Sequence, residues 1–211
     1  ESIKPYVKHI YAMNCEIDHQ LITKLPIGFV DNKIPKKISC KKDIKCYLNL
    51  GLYNDKEIQF IKCRSIRMDC INKLKNKKFI TFDENPIPFE QFQEKLSRSQ
   101  FVICPPGYGL DTHRFYETCY LGGTPIILSS GLDSLHKKYR PIIVEDWDEV
   151  TEELLDNFKY KKLSDEELDQ AIEAGSQLDQ SPSEPEAEEE VVDQPAEDAE
   201  APAEPEVTEG P

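Results

Sequence analysis

Residues 101–128 read FVICPPGYGLDTHRFYETCYLGGTPIIL: two apolar runs separated by a glycine-bearing turn and a segment of helical pattern. The first run, 101–104, carries no polar residue and suits a strand buried on both faces. Pro105 and Pro106 stop it, since neither can donate to a sheet ladder. Gly107 and Gly109 permit backbone conformations and close approaches that other residues resist. Asp111 or Thr112 then offers a side-chain oxygen to the first N–H groups of a helix over 111–121. Gly122 and Gly123 end that helix, Pro125 prevents its continuation, and 124–130 forms the next strand.

The same alternation extends in both directions. Residues 44–50 and 79–82 read as strands, and 57–74 as a helix with Ile58, Ile61, Cys63, Ile66, Cys70 and Leu74 at near-helical spacing. A second helix, 88–99, places Phe89, Phe92 and Leu96 on one face. Beyond the quoted stretch, 141–145 is a strand and 148–158 a helix whose leading acidic residues suit its N-terminal dipole. Short apolar strands alternating with helices specify an α/β fold, a Rossmann-like parallel sheet of about five strands with helices on both faces. Before it, 7–13 reads as one strand, and 25–37 has the Pro and Gly punctuation of a connection. After it, Ser164 and Glu167 form a capping box opening a helix over 163–174.

In an open parallel sheet, ligands sit outside the carboxyl ends of strands, where strand order reverses. The turn after the 101–104 strand is such a place. At 100° per residue, Arg114, Glu117, Thr118 and Leu121 share one side of the helix, while Phe115, Tyr116 and Cys119 share the side suited to the sheet. Arg114 lies in the first turn, beside N–H groups that favour an anion. Glu117 lies ~4.5 Å further along the axis. An arginine fork followed by a carboxylate fits a diphosphate followed by ribose hydroxyls. The pair equally fits an exposed ion pair worth a few tenths of a kcal/mol, and spacing alone does not choose between them.

The stretch resembles the C-terminal motif of exostosin-like glycosyltransferases, which runs aromatic-Val-x-Cys-Pro-x-Gly-x-Gly-x-Asp-Thr-x-Arg-x-x-Glu and then Leu-Gly-x-x-Pro-Ile. The match is close over these 28 residues, and 44–100 agrees in layout only. The resemblance implies a GT-B architecture, two Rossmann-like domains with a sugar nucleotide held mainly by the C-terminal one. It implies Arg114 on the donor diphosphate and Glu117 on the ribose, with Gly107, Tyr108, Gly109, Asp111 and Thr112 forming the loop and helix start around the donor. The substrates it implies are a UDP- or GDP-linked sugar and a glycan or protein acceptor, with no cofactor and no metal ligand assigned. No residue is identified as a general base. Residues 1–43 are then expected to be the remnant of an N-terminal domain and interdomain linker, and 44–162 the nucleotide-sugar-binding domain. Residues 163–175 would be a terminal helix and 176–211 a disordered acidic tail. The alternative is a non-catalytic nucleotide-binding or scaffold protein derived from such a domain, its tail an interaction segment. A dehydrogenase is disfavoured, because the turn after the 44–50 strand has only Gly51 where Gly-x-Gly-x-x-Gly is needed.

Charge and cysteine content bound the rest. The net charge of −14 resides in the tail: 13 of the 40 acidic residues lie in 176–211, leaving 27 against all 26 basic residues. A nearly neutral domain carries no nucleic-acid footprint, and the lysine clusters at 36–42 and 73–78 lack interleaved aromatics. The composition of 176–211, without aromatics, cannot offset the cost of ordering its backbone. Seven cysteines with no Cys-x-x-Cys pair read as reduced, buried thiols. They and the lack of an Asn-x-Ser/Thr acceptor lean towards the cytoplasm, whereas relatives of exostosin type are lumenal, so the compartment stays open. No stretch is long and apolar enough to span a membrane. Among single residues, His113 is a surface or phosphate-reaching histidine, and His136 a candidate for the site rim. Asp83 is a loop carboxylate or ribose acceptor, and Trp147 a staple for the last helix.

Overall fold

The computed structural model describes residues 6–29, 35–52, 58–159, 163–164 and 166–168, all within one unit, Glu1–Asp179. The tail 176–211 and most of the 163–175 helix lie outside the described residues, although Ser164 and Glu167 do form the reciprocal capping box.

In chain order the elements are β1 (Ile10–Met13), β2 (Ile22–Leu25), β3 (Ile44–Asn49), α1 (Ile58–Leu74), β4 (Ile80–Asp83) and α2 (Phe89–Arg98). They continue with β5 (Ser99–Ile103), α3 (His113–Tyr120), β6 (Thr124–Leu128), α4 (Asp133–His136), β7 (Ile142–Val144) and α5 (Glu152–Asn157). β1 and β2 form a separate parallel pair. The other five strands form one parallel sheet in the order β4-β3-β5-β6-β7.

Period-two alternation along each strand divides the core into two layers. Tyr47, Val102 and Ile127 face one way and pack with Leu96 of α2 and Phe115, Tyr116 and Cys119 of α3. Cys46, Leu48, Phe101, Ile103 and Ile126 face the other way and pack with Cys70 and Leu74 of α1, Trp147, and Leu155 of α5. Helices therefore cover both faces, which is why the strands read as continuous apolar runs. Burying each large apolar side chain contributes roughly 1.5–3 kcal/mol.

Three local departures from the sequence expectations have simple causes. The last helix begins at Glu152, because Val150 is drawn into the core and leaves the helical path before Thr151 caps the N–H of Leu154. A 3₁₀ turn, Trp147–Glu149, takes the place of its expected first turn. α3 starts at His113 rather than 111, since Asp111 is pulled into the interior. β2 was not anticipated; its register, Ile10 opposite Ile22, is set by pairing across a connection of eight residues.

Candidate functional site

The strand order reverses between β3 and β5, so the chain leaving β3 and the chain leaving β5 diverge and leave a crevice. A cavity of about 390 Å³ opens there. All seven residues expected from the motif line it: Gly107, Tyr108, Gly109, Asp111, Thr112, Arg114 and Glu117. Ile27, Gly51, Arg67 and Phe92, from four other segments, complete the wall together with Pro105 and His113. A larger depression of about 600 Å³, between residues 18–24 and 134–138, contains none of these residues.

Arg114 and Glu117 do not form the exposed ion pair that their spacing allows. No ion pair within 4.0 Å joins them among the described residues, and Glu117 is only 8% exposed. The Arg114 guanidinium donates through Nη1 to the Asn49 carbonyl at the end of β3 and stacks on Phe92, 5.0 Å from the ring centre. Its Nε is buried without a hydrogen-bond partner. The Glu117 carboxylate makes no hydrogen bond to any described residue. Burial raises its pKa above the ordinary 4.5, opposed by the nearby charges of Arg114 and His113. A donor shut off from water and a largely buried acceptor, neither with a hydrogen-bond partner among the described residues, thus share one cavity wall. Such groups are costly in a folded protein unless something else completes them.

Asp111 behaves differently. Its carboxylate is fully buried and accepts from the Ile27 N–H at 2.9 Å, Tyr116 Oη at 2.7 Å and His136 Nε2 at 3.0 Å. It borders the cavity, but its oxygens are engaged by the protein and hold the turn rather than reach into the space. Thr112 occupies the position before α3 in extended conformation, and its hydroxyl makes no cap hydrogen bond. The start of α3 is therefore without a side-chain cap on its cavity side. Gly107 donates to the Gly109 carbonyl at 2.9 Å, closing the turn, and places Tyr108 at the lip, 68% exposed.

The segment before β3 straps this turn in place. Asn14 Oδ1 accepts from the Asp111 N–H at 2.8 Å, and a Cβ at Gly109 would come within 2.3 Å of that same oxygen. His113 Nδ1 hydrogen-bonds the Gly28 carbonyl at 2.8 Å, which ties the histidine to the strap. His136, considered for the rim, is 2% exposed and packed on Phe115 as the partner of Asp111. Asp83 accepts from Tyr47 and Lys95. Trp147 is buried among Cys70, Leu74 and Leu155, as a staple should be. The sequence carries an Asp-x-Asp triplet, Asp146-Trp147-Asp148, a pattern that binds a metal in some transferases; here Lys73 pairs with both carboxylates and none of the three residues lines the cavity. Among the described residues no cluster of three potential metal ligands occurs.

Arg67 is the residue that sequence reasoning missed. It is 9% exposed, and it donates from Nε to the Pro106 carbonyl and from Nη1 to the Gly51 carbonyl, both at 2.8 Å. A signal was available: Arg67 falls between Cys63 and Cys70 on the stripe that Leu74 completes, so a cation interrupts the apolar face of α1. Ile27 and Phe92 left no such trace, being apolar residues indistinguishable from core.

The family defined by the RXYLT1 C-terminal domain matches residues 36–171, which include every cavity residue named above except Ile27. A comparison with curated proteins finds no match. With well over half of its length so matched, the chain belongs to the RXYLT1 C-terminal domain family, an exostosin-related glycosyltransferase domain.

Proposed function

We propose that the cavity binds a nucleoside-diphosphate sugar and that the chain is a glycosyltransferase, or its donor-binding half, passing the sugar to a glycan or protein acceptor. The observation that carries this is the pair of unsatisfied groups, Arg114 Nε and the Glu117 carboxylate, on one wall at the reversal of strand order. A diphosphate oxygen supplies the acceptor that Arg114 lacks, and a vicinal ribose diol supplies two donors to Glu117. The order along α3, cation first and carboxylate one turn on, follows the order of those groups in the ligand. Gly107 and Gly109 bring backbone close to the phosphates, and the uncapped start of α3 adds N–H groups with a positive dipole end.

In the transfer, the acceptor hydroxyl oxygen bonds to the anomeric carbon and gives up its proton to solvent, while the anomeric carbon–oxygen bond to phosphate breaks and its electron pair leaves with the diphosphate. Arg114 and the helix start stabilise that developing charge from fixed positions. Among the described residues the cavity offers no carboxylate pair for a metal, because Asp111 is committed to Ile27, Tyr116 and His136, so this chemistry is assigned without one. Titration with UDP and GDP tests the assignment. One of them should bind the wild-type chain, and Arg114→Ala should weaken it at least tenfold. Unchanged affinity in that variant would remove Arg114 from the site.

A further inference from the structure

We propose that Arg67 is the second cation of the diphosphate site, holding the two crevice loops at a fixed separation and presenting positive charge to the phosphates from the side opposite α3. The inference rests on the nucleotide-sugar assignment above and adds a residue to it. Arg67 and Arg114 converge on the same chain end: Arg114 donates to the Asn49 carbonyl and Arg67 to the Gly51 carbonyl two residues later. Arg67 also donates to the Pro106 carbonyl, one residue before the glycine turn. A single side chain therefore bridges the two strand exits whose divergence creates the cavity, while lining it.

The residue type matters. A guanidinium stays charged at any working pH and its planar fork satisfies two carbonyls while remaining rigid. Lysine keeps the charge but cannot span both carbonyls with one fixed geometry. A wholly structural strut in an apolar stripe would not need to border a ligand cavity, and a cation already ordered by two backbone acceptors needs no reorganisation when an anion arrives.

Inorganic pyrophosphate and uridine are the probes, titrated separately into the full chain. Wild type should bind pyrophosphate. Arg67→Gln should weaken pyrophosphate at least tenfold and leave uridine within about twofold, and Arg67→Lys should recover part of the loss. Equal losses for both probes, or none, would overturn the role. If Arg67→Gln does not fold, the Arg67 Nε–Hε NMR resonance of the wild-type chain takes its place: it must move on pyrophosphate addition, and an unmoved resonance overturns the proposal. If wild type binds neither pyrophosphate nor any nucleoside diphosphate, the nucleotide-sugar assignment itself falls. If Arg114→Ala loses pyrophosphate and Arg67→Gln does not, only the Arg67 role falls.

Discussion

Glu117 stores a cost that binding can relieve. Its carboxyl titrates above 4.5 because burial disfavours the charge. The unfolded carboxyl, at about 4.3, loses its proton earlier, so between the two values the folded chain binds more protons. The stability this group contributes is complete below that window and is lost as pH rises through the folded value. At neutral pH, Glu117→Gln should therefore raise Tm, because the amide carries no charge to desolvate. The same variant should bind nucleoside diphosphate less well; thermal scans across pH and titration check the two effects together. Arg114→Ala should cost stability instead, about 1.5–3 kcal/mol, because it strands the Asn49 carbonyl that its guanidinium satisfies. Chemical denaturation measures that loss. Arg114 and Glu117 were legible because both lie in one short helix, where 3.6-residue geometry fixes their relation. The role of Asp111 was not, because its partners Ile27 and His136 lie 84 and 25 residues away.

Among the elements, α3 shows most clearly what local pattern can and cannot specify. Its end was readable: Gly122 adopts φ 73°, and the Gly122 and Gly123 N–H groups return to the Cys119 and Thr118 carbonyls in a Schellman motif. Gly122→Ala should accordingly destabilise the fold by about 1–2 kcal/mol, read by equilibrium unfolding. Its faces were only half readable. The wheel gave the Phe115–Tyr116–Cys119 side to the sheet, but Glu117 and Thr118 are buried too, with Thr118 Oγ1 3.7 Å from Cys104 Sγ. Ile27 of the strap and Phe92 of α2 share the cavity wall with Glu117, and both are distant from it in sequence. Gly109 makes the same point. The sequence offers a loop glycine, whereas its necessity comes from Asn14 lying against it. Gly109→Ala should displace Asn14 from the Asp111 N–H and cost roughly 1–3 kcal/mol, and it should also weaken nucleotide binding through the shifted turn. Unfolding and titration of that one variant separate the two effects.

At the scale of the molecule, sheet class was the most legible property, because apolar runs without alternation have few explanations other than strands covered on both faces. The position of the crevice follows from strand order, which the sequence does not state. The turn after β5 was legible as one wall, but that the end of β3 forms the facing wall is seen only with β3 between β4 and β5. Burial of the thiols across both layers is likewise global. Cys46, Cys70, Cys104 and Cys119 are buried, Cys40 is exposed, and all seven are unbridged. Burial pushes the Cys104 thiol up to about 12, far from a reactive thiolate. A thiol-specific reagent should modify Cys40 in the native chain and the four buried thiols only on unfolding; fast native labelling of any of those four would contradict the packing described.

Arg114 and Glu117 are proposed to complete themselves on one bound nucleoside diphosphate. The side-chain carboxyl ¹³C resonance of Glu117, followed during titration with UDP and GDP, tests it most directly. One nucleotide should shift that resonance saturably and lower its apparent pKa as ribose hydroxyls donate to the carboxylate, and Arg114→Ala should weaken the response by at least tenfold. A Glu117 signal that stays put while either nucleotide binds, or that moves identically in the Arg114→Ala chain, would contradict the account.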